Sequence, residues 1–518
     1  MTFDSKSVWA EVAQKRRAFV SSEDGSLIIF ALFTLVAMLL CVGVGLDTMR
    51  YEVQRTIYQG TADRAVLAAA DLDVTNDPLR SPEDVVYDYF RRGGLPSTLA
   101  NVDVQDVGGG NAVSVETTVQ VPTLLLRMVG FEDLQGPAPS TATETITDVE
   151  VALVLDNSGS MGSGTKMADL KSAAKQFVED VVKDDLSEGT VAISVVPFAT
   201  QVNPGALGGY LTTSGEHEHS SCVTFETAHF AEHALSATAT HSQTAHFQPN
   251  HDKKDPADIT MVCPPVESRE ITPWSSDKTH LKARIDAMEP WGWTSIELGT
   301  KWGLALLDPA SRTISSDMLA KGQLSNQVAG MPFDYGRPDT EKYLIVMSDG
   351  ANTTQWDVKP GYRSGASPVW VEADGTYYYL HAEDGLYYQE SSGDTLTTLD
   401  ASATNLTWVE VWDQMTVKYF VNKLKNKAVS GDWQTLYNEI VDTIGSSVKN
   451  TRTSAICQAA RDEGITVFTI GVGTYGQGDA TLLDCAGTPA NFFDIAADEM
   501  DQAFGAIARQ INQLRLTH

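Results

Sequence analysis

Cysteine is scarce in this chain, five in 518 residues, and no pair has the C-x2-C spacing of a structural zinc site. Basic residues are scarce as well: 37 Lys and Arg stand against 68 Asp and Glu, a formal net charge of −31. Such a surface repels phosphate backbones, which excludes nucleic-acid binding by long-range attraction and leaves cations, cationic surfaces and proteins as partners. No G-x-S-x-G elbow with evident His and acid partners occurs, so a serine-hydrolase triad is not expected. Residues 159–166 (GSMGSGTK) imitate a phosphate-binding loop, but Thr165 and Lys166 stand in reverse of the required K-[S/T] order, which argues against a nucleotide site. The chain reads as a non-enzyme. No repeat of fixed period is present. Length is not lacking, and with 42% apolar residues the chain suffices for two to four packed domains rather than a disordered tail.

Only one long apolar run exists, residues 27–45, nineteen positions without a charge. As a helix at 1.5 Å per residue it approaches the ~30 Å of a bilayer's hydrocarbon core. A cleaved signal would have a shorter apolar core of ~7–15 residues and a small-residue exit. After Gly45 the chain instead continues as a charged helix, so an uncleaved anchor is expected. Positive charge decides orientation weakly, because Lys6, Lys15, Arg16 and Arg17 precede the run and Arg50, Arg55 and Arg64 follow it. The cysteines help. Cys41 lies in the run, and the other four form an even set whose sequence neighbours suggest Cys222 with Cys263 and Cys457 with Cys485, among three possible pairings. Disulfides persist outside the cytosol; four free buried thiols are the alternative. The expectation is a bacterial inner-membrane protein crossing once, with residues 1–26 cytoplasmic, 27–45 in the membrane and the bulk of the chain periplasmic or surface-facing.

From Leu46 to Leu72 apolar residues recur three or four apart, predicting a helical stalk over 46–77 that Gly60 weakens and Pro78 ends. Residues 101–121 alternate around Gly108, Gly109 and Gly110, a hairpin pattern, which makes 78–147 a small membrane-proximal β-rich α+β module. Residues 136–141 (GPAPST) read as its exit linker. Beyond it strands and helices alternate: strands at 149–155, 191–198, 343–347 and 466–472, helices at 167–182, 281–288, 296–307, 451–463 and 497–514. This predicts an α/β domain over 148–516, a mostly parallel, doubly wound sheet covered on both faces. Its core segments amount to roughly 190 residues, one ordinary domain. Two insertions interrupt it: a His-rich one at 201–284, and one at 354–448 whose aromatic runs, Trp408 to Trp412 among them, suit a small β-subdomain.

The first strand ends in Asp156-Asn157-Ser158-Gly159-Ser160, a later one in Ser348-Asp349-Gly350, and Gly292-Trp293-Thr294 leads into a helix between them. Open α/β sheets bind ligands at the carboxyl ends of their strands. Asp156, Ser158, Ser160, Thr294 and Asp349 offer only hard oxygen donors, suited to a small divalent cation that retains water. Helix caps and turns would use the same residue types. The D-x-S-x-S run with a distant Thr and a distant Asp resembles the metal-ion-dependent adhesion site of von Willebrand factor type A domains. That resemblance implies a Rossmann-like fold and Mg2+, with Mn2+ or Ca2+ as alternatives. It also implies capture of a protein partner's Asp or Glu carboxylate at an open coordination position.

A second resemblance runs through Gly25-Ser26, residues 45–51 (GLDTMRY), residues 62–70 (ADRAVLAAA), Cys457, residues 464–470 and Cys485-Ala486. The chain is similar to TadG-like Flp (tight adherence) pilus-assembly proteins, which implies pilus or envelope components as partners. It departs from processed pilins in having no glutamate across residues 26–30. A pilus-independent surface adhesin or envelope tether is the rival reading.

Seven of ten histidines fall between 217 and 251. His229 and His233, one helical turn apart, form a weak second metal candidate with Glu226 or Glu232; a solvated loop stapled by Cys222 and Cys263 is the plainer reading. Trp291 and Trp293 either wedge the Thr294 loop against the core or form a ligand-facing shelf. Insertion two leaves directly from the Asp349 strand end, so it is expected beside the cation site.

Overall fold

The computed structural model describes residues 5–21, 24–70, 81–96, 100–106, 110–145, 148–183, 189–235, 239–255, 260–474 and 476–514. The chain divides into two compact units, one running to Thr145 and one spanning Ile146–Arg515.

In the first unit a helix at Ser5–Ser21 precedes a single helix of 47 residues, Asp24–Ala70, that joins the apolar run to the expected stalk without a break at Gly60. It carries a segment long and apolar enough, by length and composition, to cross a membrane. Leu27, Phe30 and Phe33 on that segment are exposed, as a helix that is apolar on all sides requires if lipid is its solvent. Further along, one face becomes buried: Ala62, Ala65, Val66 and Ala69 meet Val85, Val86 and Phe90 of helix Pro82–Arg92 and alternate residues Val113, Val115, Val119 and Val121 of strand Gly110–Pro122. That strand pairs with Ala100–Asp106 as the predicted hairpin; its turn at Gly108 and Gly109, like Pro78 and the end of the stalk, lies outside the described residues.

Residues 136–141 are not a linker. They belong to strands Asp133–Pro137 and Ser140–Thr145, both paired with Gly110–Pro122. Gly136 serves close packing there, since a β-carbon would lie 1.9 Å from the Tyr51 hydroxyl. Asp47, almost fully buried, accepts the backbone N–H groups of Leu124, Leu125 and Leu126 at 2.9, 3.0 and 2.9 Å, tying the turn at 123–131 to the helix just past the apolar run.

The second unit is built on a six-stranded sheet: β1 Asp148–Asp156, β2 Val191–Phe198, β3 Thr272–Ser275, β4 Thr340–Ser348, β5 Thr466–Val472 and β6 Phe492–Ile495, in spatial order β3-β2-β1-β4-β5-β6. All neighbours are parallel except β3, which runs antiparallel to β2 at the edge. β3 was expected to fall inside insertion one. A short strand containing Pro273 gives little periodicity, and an edge position is where proline is tolerated. The domain thus reclaims the end of the segment assigned to that insertion.

Side chains alternate across the sheet. Val149, Val151, Leu153 and Leu155 face helices Lys166–Val181, Lys278–Ala287 and Met500–Leu514. Ala152 and Val154 face Ile296–Leu307, Ser446–Asp462 and Gln477–Ala486. Helix Ile296–Leu307 presses directly on the sheet because Gly299 and Gly303 present no side chain: a β-carbon at Gly303 would stand 2.5 Å from Val154 Cγ2.

Insertion two is mixed rather than purely β. It carries a five-stranded antiparallel sheet and several short helices over a shared apolar core. Trp408–Trp412 is a helix, not a strand: Thr407 and Glu410 form a reciprocal capping box that starts it, and this local hydrogen bonding outweighs the β preference of the aromatics.

Replacing Asp47 by Ala leaves three N–H groups without their acceptor. Amide exchange at Leu124, Leu125 and Leu126 should accelerate roughly thirtyfold, corresponding to about 2 kcal/mol of local stability, and less for Asp47→Asn. Hydrogen–deuterium exchange on the detergent-solubilised chain measures this.

Candidate functional site

The sheet order reverses direction at β1: the chain proceeds outward through β2 and β3, then crosses back to β4. The crevice at the carboxyl ends of β1 and β4 is therefore the topological switch point, the position where open α/β sheets take ligands. Asp156 ends β1 and Asp349 follows β4, so two acidic groups from adjacent parallel strands meet there.

All five sequence-selected oxygen donors converge. Thr294 Oγ1 donates to Ser158 Oγ at 3.2 Å, Ser158 Oγ lies 3.0 Å from Ser160 Oγ, and Ser160 Oγ donates to Asp349 Oδ1 at 2.6 Å. This hydroxyl chain runs from the third loop through the first to the last. Asp156 sits beneath it, accepting the Ser158 N–H at 2.7 Å and the Ser348 hydroxyl at 2.6 Å. Asp156, Ser158, Thr294 and Asp349 are buried, whereas Ser160 is exposed, so the cluster opens to solvent on one side.

Backbone contacts fix the loops against each other. Gly159 N–H donates to Gly292 O at 3.0 Å and Trp291 N–H to Asn157 O at 2.8 Å. Gly292 has φ +82°, and a side chain there would meet Thr200 Oγ1 at 2.9 Å, so glycine is required on both counts. Thr353 and Thr294 exchange hydrogen bonds, the Thr294 N–H donating to Thr353 Oγ1 at 2.9 Å and the Thr353 N–H to Thr294 O at 3.1 Å.

Two lysines were missed by the sequence reading. Lys449, fully buried, donates to Thr294 O at 3.0 Å, Ser295 Oγ at 2.6 Å and Thr353 O at 3.0 Å, and pairs with buried Glu297 at 3.5 Å. Burial pushes the Lys449 ammonium down and the Glu297 carboxyl up, with their attraction opposing both shifts. Lys166, noted only as a misplaced phosphate-loop lysine, reaches Asp349 Oδ2 at 2.7 Å. It holds the second oxygen of Asp349, while Asp156 accepts from Ser348 and Ser158 instead. No spacing rule signals either lysine: Lys166 opens the helix that follows the Asp156 turn, and Lys449 comes from the distant helix Ser446–Asp462.

The donor set fits a small divalent cation. It offers oxygen alone, two carboxylates against one ammonium, and hydroxyl oxygens from two loops within hydrogen-bonding distance of one another, while softer ions favour nitrogen or sulfur ligands.

Both expected cystine pairs form, Cys222–Cys263 within insertion one and Cys457–Cys485 joining two helices of the sheet's outer layer; Cys41 is free. Trp291 and Trp293 are 47% and 43% exposed, so they form a shelf beside Thr294 rather than a wedge into the core. Trp293 packs edge-on against Trp356 of strand Gln355–Val358, which puts the start of insertion two next to the site. His229 and His233 do not pair. His229 lies on the 3-10 turn Thr227–Ala231 with Nδ1 accepting the Glu226 N–H at 3.1 Å, and His233 faces Glu463 at 3.7 Å. The i, i+4 relation holds only on a continued α-helix, which this turn is not.

Residues 25–72 match the family model described as putative Flp pilus-assembly TadE/G-like. No curated protein matches. Among solved structures, the chain is similar to the von Willebrand factor domain of the type V pili tip protein Mfa5 from Porphyromonas gingivalis. That similarity has 14% identity, 72% of this chain and 98% of that one covered, and TM-score 0.32. A mutant of the PilB minor pilin from Streptococcus sanguinis gives 12% identity, 81% and 80% coverage and TM-score 0.31. The adhesive tip pilin GBS104 from Group B Streptococcus agalactiae gives 12%, 70% and 100%, and 0.31. Likenesses at these TM-scores carry nothing over to this chain.

Burial, with the charge of Asp349 adding to it, pushes the Asp156 carboxyl up to about 6, and the hydrogen bonds from Ser348 and Ser158 only partly offset this. The folded chain thus holds a proton that an unfolded chain, at the ordinary 3.8, has released. Where the native state binds more protons, stability falls as pH rises, so this contribution is full below 3.8 and is lost through about 6. In chelator, the protein should lose on the order of 1 kcal/mol through this group between pH ~5 and ~7. Denaturant titration of wild type against Asp156→Asn isolates the share, which should vanish in the variant.

Proposed function

We propose that this chain is a membrane-anchored, non-enzymatic protein-binding component of a Flp pilus assembly or adhesion system. In this reading its second unit is a doubly wound von Willebrand type A domain that captures a partner carboxylate at a divalent cation. The observation that carries it is the hydroxyl chain from Thr294 through Ser158 and Ser160 to Asp349, with Asp156 beneath. Ser158, Ser160 and Thr294 are the direct oxygen ligands in this reading, and Asp156 and Asp349 balance charge and orient water. The cation, Mg2+ in preference to Mn2+ or Ca2+, supplies an electrophilic position that an Asp or Glu of a protein partner completes. The match at residues 25–72 supports the pilus assignment.

The apolar segment of Asp24–Ala70 supports a single membrane crossing. So do the exposed Leu124, Met128 and Phe131 on the turn whose Leu125 packs against Gly43 of that helix. The two disulfides support an oxidising compartment for the second unit, and hence the orientation with residues 1–26 in the cytoplasm.

Lys166 sets the affinity of the site. Its ammonium already neutralises part of Asp349, and a divalent cation must share that carboxylate with it. Lys166→Met should therefore tighten Mg2+ binding about five- to tenfold in calorimetric titration, the scale of a partly exposed ion pair, while Lys166→Arg stays near wild type. Asp156→Ala should abolish Mg2+-dependent recovery of partners from crosslinked membranes without unfolding the domain. Equal recovery in chelator would overturn the reading.

A further inference from the structure

Insertion one and insertion two meet along a polar seam. Lys254 of the first pairs with Glu390 of the second at 2.7 Å, and the Lys253 N–H donates to Thr416 Oγ1 at 3.1 Å. On this seam three groups able to bind a transition metal come together. His219 Nε2 lies 2.7 Å from Asp413 Oδ1, His246 Nε2 lies 3.8 Å from the same oxygen, and the ligand atoms of all three fall within 4.8 Å of one another. The imidazoles of His219 and His246 stack with centroids 4.0 Å apart. Asp413 is the C-cap of helix Trp408–Trp412, so its position is fixed by that helix.

His246 is held from behind. His246 is almost fully buried, and its ring hydrogen-bonds the Trp412 backbone carbonyl. Its Nε2 lies beside the Asp413 oxygen that hydrogen-bonds His219 Nε2. His217 does not join the ligands. Its Nε2 bonds Thr244 O at 2.8 Å and its Nδ1 accepts the His219 N–H at 3.2 Å, so it positions the backbone of His219. A backbone carbonyl or carboxylate behind each metal-bound histidine is the usual support for such a ligand.

We propose that His219, His246 and Asp413 form a second metal site, taking Zn2+, that fastens insertion one to insertion two. Two imidazoles and one carboxylate with a fourth position open to water suit Zn2+ better than Mg2+ or Ca2+, which prefer all-oxygen shells. Around tetrahedral Zn2+ with bonds of ~2.0–2.1 Å, ligand atoms stand roughly 3.3 Å apart, which lies between the two separations to Asp413 Oδ1. Side-chain rotation suffices to close the site. The site shares no residue with the Asp156 cluster and stands or falls independently of the function proposed for it.

The test uses the full chain without an oligohistidine tag, in detergent, with Asp156→Ala throughout so that the other cluster is silenced. Equilibrium dialysis against Zn2+ with elemental analysis should find one equivalent bound and retained in a tenfold excess of Mg2+. Adding His219→Ala or Asp413→Asn, both at partly exposed positions, should weaken that equivalent at least tenfold. Zn2+ should also slow amide exchange across residues 214–222 in the Asp156→Ala chain and fail to do so in either double variant. No saturable equivalent, or the same affinity and exchange in all three proteins, would overturn the proposal. Neither result bears on Mg2+-dependent partner capture, which is measured with Asp156 intact.

Discussion

Two carboxylates at the ends of adjacent parallel strands, with little water around them, are the constraint on which the candidate site depends. Parallel neighbours bring their carboxyl ends to the same edge of the sheet, and the reversal of strand order at β1 makes the crevice at the ends of β1 and β4 the topological switch point. Asp156 and Asp349 both face that crevice. Burial first, and the like charge beside it second, oppose ionisation there, which is visible in the raised carboxyl of Asp156. The surrounding groups answer that charge: the Ser158 N–H and Ser348 hydroxyl on Asp156, the Ser160 hydroxyl and Lys166 ammonium on Asp349.

The rest of the second unit can be understood as what holds those loops still. Gly299 and Gly303 let helix Ile296–Leu307 lie flush on the sheet, so Thr294 at its entrance has no freedom to withdraw. Lys449 then clamps the same loop from behind by three hydrogen bonds. A buried lysine is costly unless its donors are satisfied, and here all three are met by groups of the 294–295 and 353 loops. The clamp joins the Thr294 loop to the first residues of insertion two.

Much of this was legible in the sequence, for a physical reason. Strands buried on both faces read as continuous apolar runs, so β1, β2, β4 and β5 stand out, and helices with one buried stripe show their spacing. Asp156, Ser158 and Ser160 are local to one turn, Thr294 precedes a helix and Asp349 follows a strand whose ends the pattern marks. What escaped was whatever depends on contacts between distant segments. Lys166 and Lys449 are ordinary helix-surface residues by pattern, and only the packed fold turns them inward. β3 is too short to show periodicity, and the glycine and prolines of 136–141 resemble a linker because the reason for Gly136 is Tyr51, some 85 positions earlier in the chain. The histidines illustrate the same limit from the other side. His229 and His233 were paired by spacing along one element, whereas His219 and His246 meet through the tertiary fold, with an aspartate nearly 170 residues beyond His246.

Charge counting gives the proposed site a further property. Asp156 and Asp349 carry two negative charges when ionised, and Lys166 returns one, leaving the cluster singly negative before any ion is bound. A divalent cation inverts that to a single positive charge if Lys166 stays, and a partner carboxylate then brings the assembly to neutrality. Were Lys166 to swing into solvent, the cation alone would neutralise the two aspartates and the site would have little reason to seek an anion. The lysine thus weakens the cation's hold while strengthening the site's demand for a carboxylate, because in a partly buried cleft an uncompensated charge is the expensive state. A site with that balance binds its ion loosely when empty of partner and tightly when filled. This is the coupling that metal-dependent capture requires, since each ligand raises the other's affinity by the same factor.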